Sequence, residues 1–192
     1  LIQDARGFHG SGRSCVEGGE AMARALVPAF PLLGEPGEWP ALVLVSATVF
    51  LEAEGEPWDG LLGVGWVVRR RALDWKLGWH AAILGPDAKA EGDARPFEPF
   101  SCWGDSDLPH SRARLAGATP EKTEPAWKAA AAALWGLLPD PVNGASFYLN
   151  IAVTLRIRGG TLPAWAADSR DASKVNQDKV RAVVGRHTFM VG

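Results

Sequence analysis

The feature that most constrains this chain is the apolar run Ala41–Leu51 (ALVLVSATVFL), closed by Glu52-Ala53-Glu54-Gly55-Glu56-Pro57. A run with no polar face must be covered on all sides, which both a core strand and a buried helix achieve. Its length and its acidic, glycine-containing end favour a buried helix that stops near Gly55, although valine-rich runs also make strands. Three glutamates at a helix C-terminus oppose the helix dipole, at roughly 0.3–1 kcal/mol each. The simplest account is a solvated acidic helix end. Glu52, however, directly follows Val49-Phe50-Leu51 and so sits at the mouth of the core. A carboxyl group pressed against apolar atoms keeps its proton to higher pH. Raising a Glu by about 2 units costs about 2.7 kcal/mol and yields an acid usable near neutrality, which is what a glycosidic oxygen requires.

Around that run the chain reads as an N-terminal arm and linker over 1–40 and one domain over 41–192. Residues 1–15 are glycine-punctuated and extended, 15–30 hold a short helix, and four prolines with two glycines make 28–40 a linker. Pro57 opens the next helix, which carries Leu61, Leu62, Val64, Trp66, Val67 and Val68 and ends in the basic run Arg69-Arg70-Arg71. Gly55, Gly60, Gly63 and Gly65 lie in or beside that helix and read as close-packing positions. Residues 72–124 read as a long irregular loop, of the length that usually carries function. The alanine-rich stretch 124–138 is the clearest helix, with Trp127, Ala131, Leu134, Trp135 and Leu138 on one face. A last helix is expected over 171–183.

Composition excludes several classes. A net charge of -2 provides no basic field for a nucleic acid, despite the local arginine run. No window of 18 apolar residues offers a membrane span, and no basic then apolar opening suggests a signal peptide. Cys15 and Cys102 are too few for a disulfide framework or a cysteine-rich zinc site; one bridge or two free thiols both remain open. The four histidines show no metal-ligand spacing, so neither a metal nor another cofactor is expected. No nucleophile elbow surrounds a serine. Nine tryptophans against one tyrosine are unusual. Most should fill the core, where an indole buries a large area, while some should line a groove, Trp103 before the others.

Four motifs then point to one family. Glu52-Ala53-Glu54-Gly55-Glu56-Pro57 with Gly60, Phe100-Ser101-Cys102-Trp103, Asp140-Pro141-Val142-Asn143-Gly144-Ala145 with Phe147-Tyr148-Leu149-Asn150, and Gly185-Arg186-His187-Thr188-Phe189 follow in order over residues 41–190, about three quarters of the chain. Together they resemble the SleB-type cell wall hydrolases (spore cortex-lytic enzymes). The resemblance implies a mainly helical α+β domain of the lysozyme-like, lytic transglycosylase type with long loops. It implies cleavage of the bond between N-acetylmuramic acid and N-acetylglucosamine in peptidoglycan, with Glu52 as the catalytic residue. Glu56, Ser101, Trp103, Tyr148, Asn150 and His187 fall on motif positions expected to bind or position substrate near the cleft. The family's Asn-Arg at the end of the second helix reads Arg70-Arg71 here, Ile151 stands where a proline is usual, and the loop 72–99 is longer.

The expected partner is the peptidoglycan glycan strand, met by a monomer at the bacterial cell wall. A phage endolysin or virion enzyme, or a bacterial enzyme with its leader trimmed, all suit. One carboxylate serves both steps of a transglycosylase. A muramidase would need a second, for which Asp105 or Asp107 are the candidates. A non-catalytic wall-binding or virion structural domain on the same scaffold, and an amidase or peptidase, are the competing readings.

Overall fold

The computed structural model describes residue 30 and residues 34–85 and 100–192. The expected arm, the expected helix over 15–30, Cys15 with any bridge to Cys102, and the middle of the long loop lie outside the described residues. Among the described residues the architecture is mainly helical α+β, with six helices and one small sheet. In chain order these are α1 (Ala41–Ala53), α2 (Trp58–Asp74), α3 (Trp79–Leu84), α4 (Leu108–Ala116), α5 (Pro120–Trp135), β1 (Phe147–Leu149), α6 (Ile151–Ile157), β2 (Val180–Val184) and β3 (His187–Met190).

The apolar run is the central helix. From Leu44 to Leu51 every residue of α1 is buried, Ser46 and Thr48 included. Those two hydroxyls donate to the carbonyls of Leu42 and Leu44, at 2.7 and 2.8 Å, so burial leaves no unsatisfied donor. Helix α1 packs on α5 and α2, and α5 also packs on α2. Small residues set that spacing. A Cβ on Gly65 would lie 2.8 Å from the Ala133 Cβ, so α2 and α5 approach through glycine and alanine. Gly63 is equally tight, against Phe189 and Val142 at 2.8 Å.

Four expectations are corrected. First, α5 starts at Pro120 and ends at Trp135, because Gly136 turns left-handed (φ 63) and caps it. Second, its buried side is Ala126, Ala129, Ala130, Ala132, Ala133 and Leu134, while Trp135 is 62% exposed; close approach favours methyl groups over indole. Third, the stretch 72–124 is no single loop, since it holds the end of α2, then α3, α4 and the start of α5. Fourth, residues 171–183 form no α-helix, only the short 3-10 turn Gln177–Lys179. Asp171 Oδ1 accepts from Ser173 N at 3.0 Å, a local bond that competes with a helical ladder, while Asn176 Oδ1 accepts from Asp178 N at 3.1 Å and caps only that single turn. Beyond them the β-branched Val180, Val183 and Val184 fit a strand.

The sheet has the order β1-β3-β2 and is antiparallel throughout. Tyr148 lies opposite Phe189 and Leu149 opposite Thr188. Gly185 (φ 56) and Arg186 make the two-residue turn between β2 and β3. Strand β3 is buried along its whole length and joins the sheet to the helices. Phe30 and Trp39, within the stretch read as a linker, are buried too; Phe30 stacks on Trp127 with ring centres 5.4 Å apart.

Candidate active site

The three alternating glutamates separate into different roles. Glu54, past the end of α1, pairs with Arg114 Nη2 at 2.9 Å, and Arg114 Nη1 also donates to the Leu51 carbonyl. That cation offsets the acidic helix end predicted to be unfavourable. Glu56 is buried and accepts from the Arg186 backbone N–H (2.9 Å) and from Arg186 Nε (2.5 Å). Burial works against its charge, but the two Arg186 bonds outweigh it and hold the carboxyl below its usual range. Glu56 therefore staples the α1–α2 turn to the β2–β3 turn.

Glu52 is different. It stands half-buried in the last turn of α1, and Oε1 accepts from Ser101 Oγ (3.1 Å) and from the Cys102 backbone N–H (3.0 Å). Both donors belong to the short 3-10 turn Ser101–Trp103. That turn is anchored from below: Trp103 Nε1 donates to Thr48 Oγ1 at 2.9 Å, and Ser111 Oγ donates to the Cys102 carbonyl at 2.7 Å. Thr48 lies one helical turn before Glu52 on α1, so one helix carries both the acid and the support of the turn that orients it.

Two recesses open from Glu52. The inner one, of about 120 Å³, is lined by Glu52, Ser101, Tyr148 and Trp165 together with Arg71, Phe100 and Phe147. The outer one, of about 390 Å³, shares those first four residues and extends along α6 past Asn150 to Arg158, with His187 on its wall. Glu52 thus sits where the two meet. No other Asp or Glu among the described residues lines either recess, and Asp105 and Asp107 are not part of them. Among the described residues, no three His, Cys, Asp or Glu side chains gather as a cation site.

Tyr148 comes from β1. Its placement follows from the Asp140 carboxylate, which accepts from Val142 and Gly144 N–H at 2.8 Å each and folds the turn before the strand. Burial, and next the charge of Glu52, push the phenol well above its ordinary pKa, so it stays a proton donor. His187 lies edge-on to Tyr148 with ring centres 5.0 Å apart. Burial holds its imidazole below the ordinary value and so favours the neutral form, although Glu56 and Glu52 pull the other way. The Cys102 thiol is likewise pushed up by burial and by Glu52. Arg71 is buried with its guanidinium over Phe100 and Phe147, at 4.7 and 5.0 Å from the ring centres, and Nε bonded to the Ser146 carbonyl at 2.9 Å.

Of the residues singled out from sequence, Glu52, Ser101, Tyr148, Asn150 and His187 meet at the outer recess. Asn150 also caps α6, its side chain accepting from Val153 N. Two stand elsewhere. Glu56 is occupied by Arg186, and Trp103, expected to line the groove, is 7% exposed and packs edge-on to Trp39 beneath the site. The tryptophan that lines both recesses is Trp165, and with Arg71 it escaped sequence reasoning. Only the general excess of tryptophan hinted at it. No family model matches the chain, and no curated protein or solved structure matches it either.

Proposed function

We propose that this protein cuts the glycan strands of peptidoglycan on a lysozyme-like domain, as a lytic transglycosylase with Glu52 as its acid and base. The observation that carries the reading is the position of Glu52 at the junction of two recesses, held by Ser101 and Cys102, with no second described carboxylate facing it.

The reaction needs one carboxyl group. Glu52 gives its proton to the oxygen linking muramic acid C1 to the 4-position of N-acetylglucosamine, and that C–O bond breaks. The muramoyl 6-hydroxyl then bonds to C1, and its proton returns to Glu52. The products are a 1,6-anhydro-muramoyl end and a free 4-hydroxyl, with no water consumed and the acid regenerated. The neutral phenol of Tyr148 can donate to the substrate or to Glu52 without competing for the proton. A two-carboxylate muramidase fits less well, because neither Asp105 nor Asp107 lines a recess.

Mass spectrometry of digested sacculi tests this directly. Anhydro ends are expected; reducing ends would overturn the transglycosylase route, and binding without release of soluble fragments would overturn catalysis. Glu52→Gln should lower the rate by about 100- to 10,000-fold, the usual worth of a general acid–base group, with the fold retained.

A further inference from the structure

The acid accounts for one part of the outer recess but not for the wall along α6. Helix α6 contains no buried residue. Val153 is 38% exposed and Ile157 74% exposed, one turn apart on the same face, and both line the outer recess. A second row at the same spacing, Asn150, Thr154 and Arg158, lines it as well. Apolar and polar stripes therefore run side by side along one wall. Where the two recesses meet stands the half-buried Trp165, which lines both. Its ring is backed by Phe147, with centres 4.9 Å apart and planes at 28°, and Phe147 is itself buried in β1. An indole braced in this way presents a fixed surface, since rotating it would break the stack.

This arrangement selects for chemistry. An apolar peptide would use Val153 and Ile157 but has no flat C–H face to lay on the braced indole of Trp165, and an anionic polymer would meet one cation, Arg158, on this wall. A pyranose ring matches both stripes, because it carries an apolar C–H face and a rim of hydroxyl and amide groups. The geometry points to Trp165, Val153 and Ile157 as a sugar-binding platform that holds a pyranose unit of the substrate beside the bond that Glu52 attacks. This rests on the glycan reading above and goes beyond it by assigning the binding wall to residues outside its four motifs.

The test uses the full chain with Glu52→Gln, so that ligand is bound and not cut, titrated by calorimetry with a GlcNAc–MurNAc tetrasaccharide. Adding Ile157→Thr should weaken binding about threefold, and adding Trp165→Ala about tenfold, with Trp165→Phe between wild type and alanine. Ile157 is so exposed that its replacement leaves folding untouched, and it decides the matter should Trp165→Ala fail to fold. Unchanged affinity in Ile157→Thr and Trp165→Phe, with wild-type chain still cutting sacculi, would overturn the platform and leave Glu52 standing. Absence of both binding by Glu52→Gln and cutting by the wild type would sink the platform together with the glycan reading.

Discussion

The helical body and the sheet-bearing C-terminal part of this molecule are built to different standards. In the body, α1 is buried from Leu44 to Leu51, and its neighbours α2 and α5 close on each other through Gly65, Ala129 and Ala133. In the C-terminal part, α6 has no fully buried residue and packs only through the half-buried Ile151 and Leu155, β2 alternates between half-buried and exposed, and only β3 is fully covered. The site takes something from each. The rigid body supplies Glu52 and the turn that orients it, where a small displacement of a proton donor is costly. The thinner part supplies the long wall, where apolar side chains left in solvent are available to a ligand.

That contrast can be broken by mutation. The largest effect is expected in the body: Gly65→Val places atoms where Ala133 already stands and should cost about 3 kcal/mol, seen as a cooperative loss in denaturant melts. A loss under 1 kcal/mol would mean that the α2–α5 contact is looser than the geometry indicates. Next comes the joint between the two parts. Glu56→Gln removes the charge from two hydrogen bonds to Arg186 and should cost about 2 kcal/mol. The 66% exposed Arg186 side chain is left in water and not stranded, which limits the cost. Amide exchange should accelerate in β2 and β3 while α1 and α5 stay protected; uniform acceleration would show that the two parts melt as one.

The smallest effect concerns pH. The folded imidazole of His187 titrates below its ordinary 6.5, so the unfolded chain takes up a proton first as pH falls. Stability from this group is complete above about pH 6.5 and is lost as pH drops from there toward the lowered folded value. His187→Gln should flatten that part of the stability–pH curve without changing its shape near pH 8. Glu56, depressed in the folded state, gives its own loss at lower pH, below its ordinary 4.5, and that limb should survive the His187 change.

Much of the body was legible because local rules and tertiary demands agree there. The length of the apolar run and the glycine after it favoured a helix over a strand, and in the structure Gly55 is left-handed (φ 81) just past the end of α1. Pro57 before α2 and the glycines within it were equally readable, and the family resemblance implied a cleft near which Glu52, Ser101, Tyr148, Asn150 and His187, which line the outer recess, would stand. The stretch 171–183 was misread because Asp171 bonds the backbone of Ser173 and Asn176 caps no more than one 3-10 turn before the β-branched strand, local choices that sequence periodicity does not register. Trp103 and Trp165 show the other kind of failure. Both are indoles in short irregular stretches, and nothing local tells one from the other. Trp103 lies under the site because Thr48 offers its hydroxyl from a buried helix, and Trp165 lies in the trough because Phe147 backs it from a strand.

The sequence by itself determined where the chain is helical in its core and that an acid stands at the mouth of that core, since periodicity and chain-end chemistry act within a few residues. Only the tertiary structure decided that the other two glutamates of the motif, Glu54 and Glu56, are held by arginines. Arg114 and Arg186 lie 60 and 130 residues away from their partners, and an ion pair at that separation exists only once the chain has folded.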